Sequence, residues 1–217
     1  MKMLFPIVTA DVALFTLFEN RLRVLLIQRA EAPAIGDWAL PGSILKPADD
    51  CSLDDTARRA LASKACVNVR HLEQVGTFSG PARDPRGWSV TTLYYALLAK
   101  EQVDAAAVVR TDAIEWCSAE SPGHTLAFDH AQLLQKALTQ LREKVRLGAL
   151  PLHLLAEKFT LTDIQRACEA ITGRPHDKGA FRRQIRGNPA LTVVEGEFLR
   201  GAQRPAQVYR ATADFLF

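Results

Sequence analysis

The stretch that decides the fold is "GDWALPGSILKPADDCSLDDTARRALASKACV", residues 36–67. It begins as a loop containing glycine and proline and ends in helix-forming residues from about Leu53 to Lys64. Ser52 is suited to cap this helix and Asp55 to complete a capping box, while the acids at its start complement the helix dipole. The stretch therefore predicts a loop, read as residues 32–42, and then one well-capped helix.

Segments with the composition of β-strands lie on both sides of this helix. Residues 6–18 and 21–29 are rich in β-formers and are separated by Glu19 and Asn20, a pair that suits a hairpin turn. The elements expected after the helix are a strand at 73–80, a loop at 81–87, strands at 89–99 and 113–119, and a helix at 127–147. Strands flanked by helices predict an α/β (α+β) sandwich over residues 1–148.

The pattern changes in residues 149–217, which we interpret as a second domain. A linker with a short helix precedes "TLTDIQRACEAITG", where Thr160 or Thr162 is the expected N-cap and Gly173 the stop. A second short helix follows at 177–187. The remaining elements are a β-ribbon formed by 190–201, with "EGE" as its turn, and by 206–211. Helix, turn, helix and ribbon predict a small winged helix-turn-helix domain.

The composition excludes several classes of protein. In 217 residues, 48% are hydrophobic and 24% charged, as in ordinary globular proteins. No apolar run reaches about 18 residues, so no membrane span is expected. The four cysteines are dispersed without a C-x-x-C pair, which indicates reduced, buried thiols and a cytoplasmic protein. The histidines show no metal-ligand spacing, and a net charge of +3 is too small to identify a polyanionic partner.

The loop and helix together resemble the Nudix box, whose pattern is G-x5-E-x7-R-E-U-x-E-E-x-G-U with U aliphatic. Arg59, Leu61 and Val67 match its arginine and two of its aliphatic positions. The glutamate positions hold Ala60, Ser63 and Lys64. The resemblance implies a Nudix-type α/β/α sandwich whose metal-binding carboxylates have been replaced.

The replaced glutamates argue against the family's usual chemistry. Glutamates at i, i+3 and i+4 share a helix face and can hold Mg²⁺ against a diphosphate, whereas the ammonium of Lys64 opposes a cation there. We therefore expect no catalytic residues, no metal site and no cofactor. The alternative is a Mg²⁺-dependent hydrolase of ADP-ribose or another nucleoside diphosphate derivative that uses displaced acids such as Asp49, Asp50 or Glu73.

Arginines bracket a rigid "DP" in the loop at 81–87. Arg83 and Arg86 can present guanidinium forks to phosphate oxygens; the other interpretation is a surface turn in which Asp84 pairs with one arginine. "RDPRG" and "LAFDH" at 126–130 resemble elements of the Nudix-related transcriptional regulators of NAD metabolism, whose Nudix part typically senses ADP-ribose or a related nucleotide. The residues expected to bind this ligand are Arg29, Arg59, Arg83, Asp84 and Arg86.

The second short helix carries a basic face. Phe181 and Ile185 are four residues apart and are expected to point into the core. The residues expected to contact DNA are Lys178, Arg182, Arg183 and Arg186 on this helix and Arg200 and Arg204 at the wing tip. A solvated basic face is the alternative. The ribbon resembles the wing of the regulator family, although Glu195 and Glu197 place negative charge near it.

The resemblance covers nearly the whole chain in order and implies a transcriptional regulator, expected to be a repressor. Its Nudix domain would bind the nucleotide, and its winged helix would bind a double-stranded DNA operator as a homodimer on two half-sites. A ligand-binding module whose small domain docks a protein is a further alternative. The resemblance implies control of NAD or related metabolism.

Overall fold

The computed structural model describes residues 5–106, 114–199 and 205–212. Its strands are β1 (Ile7–Phe18), β2 (Arg21–Gln28), β3 (Trp38–Ala39), β4 (Gly42–Ile44), β5 (His71–Asp84), β6 (Gly87–Leu97), β7 (Ile114–Ser118), β8 (Leu191–Leu199) and β9 (Ala206–Ala211). Its α-helices are α1 (Leu53–Ala65), α2 (Lys100–Ala106), α3 (His130–Arg146), α4 (Leu161–Thr172) and α5 (Lys178–Ile185), and a 3₁₀ turn spans Leu152–Leu154.

Seven strands form one mixed sheet. The order is β3-β2-β1-β6-β5, with β4 also paired to β1 and β7 to β2. Strands β1 and β6 run parallel and the other pairs are antiparallel. The β1–β2 turn is made by Glu19 and Asn20 with φ of 50° and 58°, which suits the predicted tight hairpin.

Alternate residues of the central strands face two separate hydrophobic layers. Val12 and Leu14 of β1 pack toward α1, whereas Ala13 and Phe15 pack toward α3. This alternation produces the predicted α/β/α sandwich. The layer on the α3 side continues into the C-terminal part of the chain and includes Phe159, Ile164, Ile171, Phe181 and Ile185.

The C-terminal residues form the predicted winged helix. Thr160 caps α4 in a capping box with Asp163, and Gly173 ends the helix with φ of 68°. Phe181 and Ile185 of α5 are buried, as expected. Arg142 on α3 donates from Nε to the Ile171 carbonyl at 2.9 Å, so the two parts of the chain are in direct contact.

Several expectations about elements were wrong. Residues 81–84 continue strand β5, so the expected loop shrinks to a tight turn at residues 84–87. "EGE" is not a hairpin turn, because β8 continues through it with a bulge at Gly196, where φ is 73°. Strands β3 and β4 begin within the expected loop, and α2 was missed. Their short lengths leave little periodic signal.

The four cysteines were predicted to be reduced and buried. None of the four cysteines forms a disulfide; Cys117 and Cys168 are buried, but Cys51 and Cys66 are exposed, contrary to the expectation of buried thiols.

Within the described ranges, no helix combines the length and apolar character needed to cross a bilayer.

Candidate functional site

A cleft of about 330 Å³ opens between the sheet and the start of α3. Its walls come from the segment after β2, from β4, from the β5–β6 turn and from the residues that begin α3. The charged residues that line it are Asp11, Arg29, Glu31, Lys46, Lys64, Arg83, Asp84 and Arg86. Five cationic side chains face three acids, so the cleft favours an anion.

Arg83 links the two motifs that the sequence singled out. Its guanidinium binds the Asp129 carboxylate through two hydrogen bonds of 2.6 and 2.8 Å, and a third reaches the Ser89 hydroxyl at 3.3 Å. Asp129 comes immediately before α3. The "RDPRG" turn and the "LAFDH" segment are therefore held together at the cleft.

Arg86 and Asp84 form an ion pair within the β5–β6 turn. Asp84 accepts hydrogen bonds from the Arg86 backbone N–H at 2.9 Å and from its guanidinium at 2.7 and 3.0 Å. These bonds hold the pKa of the Asp84 carboxyl below its usual value. The Arg86 side chain keeps 40% of its surface exposed, so part of its donor fork remains accessible from the cleft.

Arg29 lies over an aromatic ring at the cleft's edge. Its guanidinium carbon is 4.8 Å from the ring centroid of Phe128, and Nε donates to the Pro33 carbonyl at 2.8 Å. Burial and then the positive charge of Arg86 lower the Arg29 pKa from its ordinary value. A bound anion would relieve this repulsion between the two guanidinium groups.

Two buried polar residues at the cleft floor were missed by sequence reasoning. His130 accepts a hydrogen bond at Nδ1 from the Leu40 N–H at 3.0 Å, and its Nε2 lies 3.8 Å from Asp11. Burial lowers the His130 pKa, which favours a neutral ring. Asp11 accepts a 2.7 Å hydrogen bond from the Thr91 hydroxyl. "LAFDH" contained a signal for His130 and Phe128, whereas Asp11 has no local signal.

Arg59 lies on α1 outside the cleft lining. It donates to both carboxylate oxygens of Asp50 at 2.8 and 2.6 Å, to the Ser43 hydroxyl at 2.8 Å and to the Ile44 carbonyl at 2.9 Å. The Asp50 side chain is only 2% exposed. Arg59 therefore fixes the β4 segment, all three residues of which line the cleft.

A second cationic surface lies on α5, in the C-terminal part of the chain. Lys178, Arg182, Arg183 and Arg186 are all exposed, opposite the buried Phe181 and Ile185. Glu197 on β8 is paired with Lys158 at 2.7 Å, which offsets part of the ribbon's negative charge. The other residues expected to contact DNA, Arg200 and Arg204, lie outside the described residues.

Models of known protein families match both parts of the chain. The NUDIX domain family model matches residues 8–138, and the model of the NrtR DNA-binding winged helix domain matches residues 151–211. The chain is also 38% identical, over 98% of its length, to the "ADPR responsive transcriptional repressor NtrR" of Acinetobacter baylyi, 85% of which is covered. The chain belongs to the NrtR family.

Two solved structures of NrtR from Shewanella oneidensis resemble the chain. One is a complex with a 27mer DNA; it is 35% identical, with a TM-score of 0.85 over 94% of this chain and 93% of that one. The other is the NUDIX domain complexed with ADP ribose; it is 36% identical, with a TM-score of 0.57 over 64% of this chain and 90% of that one. The recognised family and the mixed α/β fold with a winged helix are confirmed.

Within this NrtR-family chain, the residues of the degenerate Nudix box do not fit a magnesium ion. Ala60 is buried, Ser63 donates its hydroxyl to the Arg59 carbonyl at 2.8 Å, and Lys64 lines the cleft. A cation at the place of a carboxylate reverses the sign of the interaction with a metal. Hard divalent cations require several oxygen ligands, which this helix face does not offer.

Three of the neighbouring acids already have structural partners. Asp50 is held by Arg59, which lowers the pKa of its carboxyl, and it also accepts from the Lys46 N–H at 2.9 Å. Asp55 accepts from the Ser52 hydroxyl and the Cys51 N–H at 3.0 and 3.1 Å. Asp54 accepts from the Tyr94 hydroxyl at 2.7 Å. Their capping and packing roles agree with the structural interpretation of this acidic segment.

Proposed function

We propose that the protein is a transcriptional repressor that binds an operator through its winged helix and senses ADP-ribose, or a related nucleotide, in the Nudix cleft. The cleft supports this most directly: arginines meet where a diphosphate would lie, and Lys64 stands where the hydrolases need a carboxylate. The DNA complex and the ADP ribose complex of the Shewanella relative support the two ligands.

Within this proposal, the nucleotide site consists of Arg29, Arg83, Asp84 and Arg86, with Arg59 acting through the β4 segment that it holds. Arg86 and Arg29 contact the diphosphate, since their forks suit phosphate oxygens. Arg83 is committed to Asp129 and serves to position the turn. Phe128 offers an apolar surface beside the cationic one.

The DNA site consists of Lys178, Arg182 and Arg183 on α5 and Arg186 at its C-cap, with Arg200 and Arg204 at the wing. A repressor of this kind acts as a two-fold homodimer, because two half-sites require two recognition helices one helical turn apart. We place the protein in the cytoplasm, where DNA and nucleotide meet, and assign it to the control of NAD or related metabolism. The domain division after residue 148 follows the end of α3.

Nucleotide binding acts by population shift. The ligand favours a dimer geometry in which the two α5 helices no longer match successive major grooves, and the operator is released. The size of the effect is limited by the difference in nucleotide affinity between the two geometries.

Fluorescence anisotropy of the gene's own upstream DNA, titrated with the full-length protein and then with ADP-ribose, tests this function. We expect specific DNA binding and a rise in the apparent Kd of at least about tenfold at saturating ADP-ribose. NAD and AMP serve as comparison ligands. Absence of binding to the upstream DNA, or DNA binding that is indifferent to every nucleotide, contradicts the proposal.

Arg86→Ala tests the nucleotide site. We expect it to weaken ADP-ribose binding, measured by calorimetry, by about tenfold or more, because a charge-assisted hydrogen bond contributes about 1.5–3 kcal/mol. Arg21→Ala removes the same charge from an exposed position away from the cleft and should leave the affinity unchanged. Equal affinities in Arg86→Ala and the wild type would remove Arg86 from the site.

The hydrolase alternative is tested in the same samples. ADP-ribose is incubated with the protein and Mg²⁺, and the nucleotide products are separated by chromatography. We expect intact ADP-ribose. Turnover that disappears in Asp50→Asn would identify an enzyme that uses displaced acids.

A further inference from the structure

Three potential metal ligands meet beside β7, away from the described cleft. Glu115 and Cys117 are two residues apart on the strand and point to the same face, and His124 follows in the loop after it. One ligand atom from each residue lies within 4.8 Å of the others. Imidazole, thiol and carboxylate are the three donor types that Zn²⁺ uses in proteins.

Two of the three side chains are open to solvent. The side chains of His124 and Glu115 are 28% and 52% exposed, so an ion can reach them from solvent. Cys117 is buried directly beneath, at 3% exposure. The His124 ring stacks on Trp38 with centroids 4.6 Å apart, which fixes the plane of the imidazole.

A simple ion pair is the competing interpretation. A nitrogen of His124 lies 2.9 Å from the Glu115 carboxylate, and a surface pair of this kind contributes little to stability. An ion pair does not, however, require a thiol as its third neighbour. Ligands bound to Zn²⁺ at about 2.0–2.3 Å stand roughly 3.3–3.8 Å apart in a tetrahedral site. Small side-chain rotations that widen the 2.9 Å contact between His124 and Glu115 and shorten the longer separations, which are within 4.8 Å, reach this geometry.

We propose that Glu115, Cys117 and His124 form a binding site for a thiophilic divalent cation, with Zn²⁺ as the best-fitting ion. Three protein ligands leave a fourth tetrahedral position open to water. On binding, the Cys117 thiol releases its proton to solvent and the sulfur ligates the metal as thiolate. The soft donor distinguishes this site from a magnesium site, whose ligands are oxygens.

The site is connected to the edge of the cleft through Trp38. The Trp38 carbonyl accepts a 2.8 Å hydrogen bond from the Ala127 N–H, and the preceding Asp37 carbonyl accepts a 2.9 Å bond from the Arg29 N–H. A metal on His124 would fix the ring that stacks on Trp38. It would therefore make Asp37 and Trp38 more rigid, and these two residues link Arg29 to the segment that contains Phe128. This effect does not depend on which nucleotide binds in the cleft.

Metal-free full-length protein, titrated with ZnCl₂ in a calorimeter, tests the proposal. We expect one Zn²⁺ per chain and a higher unfolding temperature in its presence, because the ion binds the folded state preferentially. Substituting Co²⁺ should produce thiolate-to-cobalt charge-transfer absorption, a signature that an ion pair with surface-bound metal lacks. None of these three readouts depends on nucleotide or DNA binding.

Variants identify the ligands. His124→Gln and Glu115→Gln change partly exposed side chains and should each weaken Zn²⁺ binding by about tenfold or more, while Cys117→Ser should remove the charge-transfer band. Cys51→Ser and His176→Gln change an exposed thiol and an exposed imidazole elsewhere and should leave both readouts unchanged. Zn²⁺ affinity that is unaffected by His124→Gln, or abolished in Cys51→Ser, overturns the proposal.

Discussion

Gly42 occupies a position in β4 that accepts no side chain. A Cβ placed there would lie 1.9 Å from Oδ1 of Asp11 and 3.2 Å from the Ala10 carbonyl oxygen. Asp11 is held in turn by the Thr91 hydroxyl and lies beside His130. Relief of the clash requires Asp11 to give up its bond to Thr91 or β4 to shift against β1, to which it is paired at this residue.

We therefore expect Gly42→Ala to lower the free energy of unfolding by about 1–3 kcal/mol, measured by urea denaturation. It should also weaken ADP-ribose binding, because β4 forms one wall of the cleft. The matched control is Gly76→Ala, since a Cβ at that strand glycine meets only the Phe78 ring at 3.8 Å. Equal decreases of stability in the two variants would show that the clash with Asp11 does not matter.

At the scale of residues, the sequence predicted some of the side chains that line the cleft. Arg29, Arg83, Asp84 and Arg86 do line it. These residues belong to short local motifs, so neighbouring residues in the sequence were sufficient to identify them. Asp11 and His130 come together across 119 positions of chain, and such a pairing depends on strand register, which no short motif records.

At the scale of elements, α5 carries the clearest functional expectation. Its cationic side chains project away from the two residues that anchor it, Phe181 and Ile185. Each DNA phosphate that a cationic side chain neutralises releases a counterion and adds about one unit to the slope of log affinity against log salt.

We expect Arg182→Ala/Arg183→Ala to weaken operator binding and to flatten that slope by about one unit for each phosphate that is no longer neutralised. Anisotropy titrations at several salt concentrations measure both quantities. Arg21→Ala/Arg70→Ala removes two exposed charges from the Nudix domain and serves as the control. An unchanged slope in the α5 variant would favour a winged helix that docks a protein.

Helices were predicted better than turns, for physical reasons. Caps and 3–4 spacing define α1 and α4 within about one residue, and 3–4 spacing alone places α3 within three, because helical hydrogen bonds are local. The β5–β6 turn and the bulge at Gly196 were misjudged. Proline and glycine signal a departure from regular backbone, but tertiary pairing decides whether that departure is a loop, a tight turn or a bulge within a strand.

At the scale of the molecule, two histidines meet where the Nudix domain contacts the linker to the winged helix. The rings of His71 and His153 stack 5.0 Å apart, and Tyr95, Glu73 and Lys144 surround His71. Burial, and then the nearby His153, lower the pKa of His71 to about 4. Burial also lowers the pKa of His153.

These shifts predict acid sensitivity. Between pH 6.5 and 4, His71 is protonated in the unfolded chain but stays neutral in the folded protein. The free energy of unfolding therefore falls as the pH falls through this window. For His71 the decrease should be roughly 2 kcal/mol at pH 5 relative to pH 7.5, measured by urea denaturation. His71→Gln/His153→Gln should flatten this dependence, and His176→Gln should preserve it. A dependence that is equally steep in the double variant contradicts this assignment.

Helix α3 runs from the cleft to helix α4 of the winged helix. Its seventeen residues span about 25 Å. One end begins at Asp129 and His130 beside the cleft, and the other packs on α4 through Arg142. A helix of four or five turns bends little. A displacement that a bound nucleotide imposes on the first turn of α3 would therefore reach the winged helix almost in full. Helix α3 would thus couple the nucleotide cleft to the winged helix as one rigid element. Substitutions that make the middle of α3 more flexible should leave nucleotide binding and DNA binding intact but uncouple one from the other.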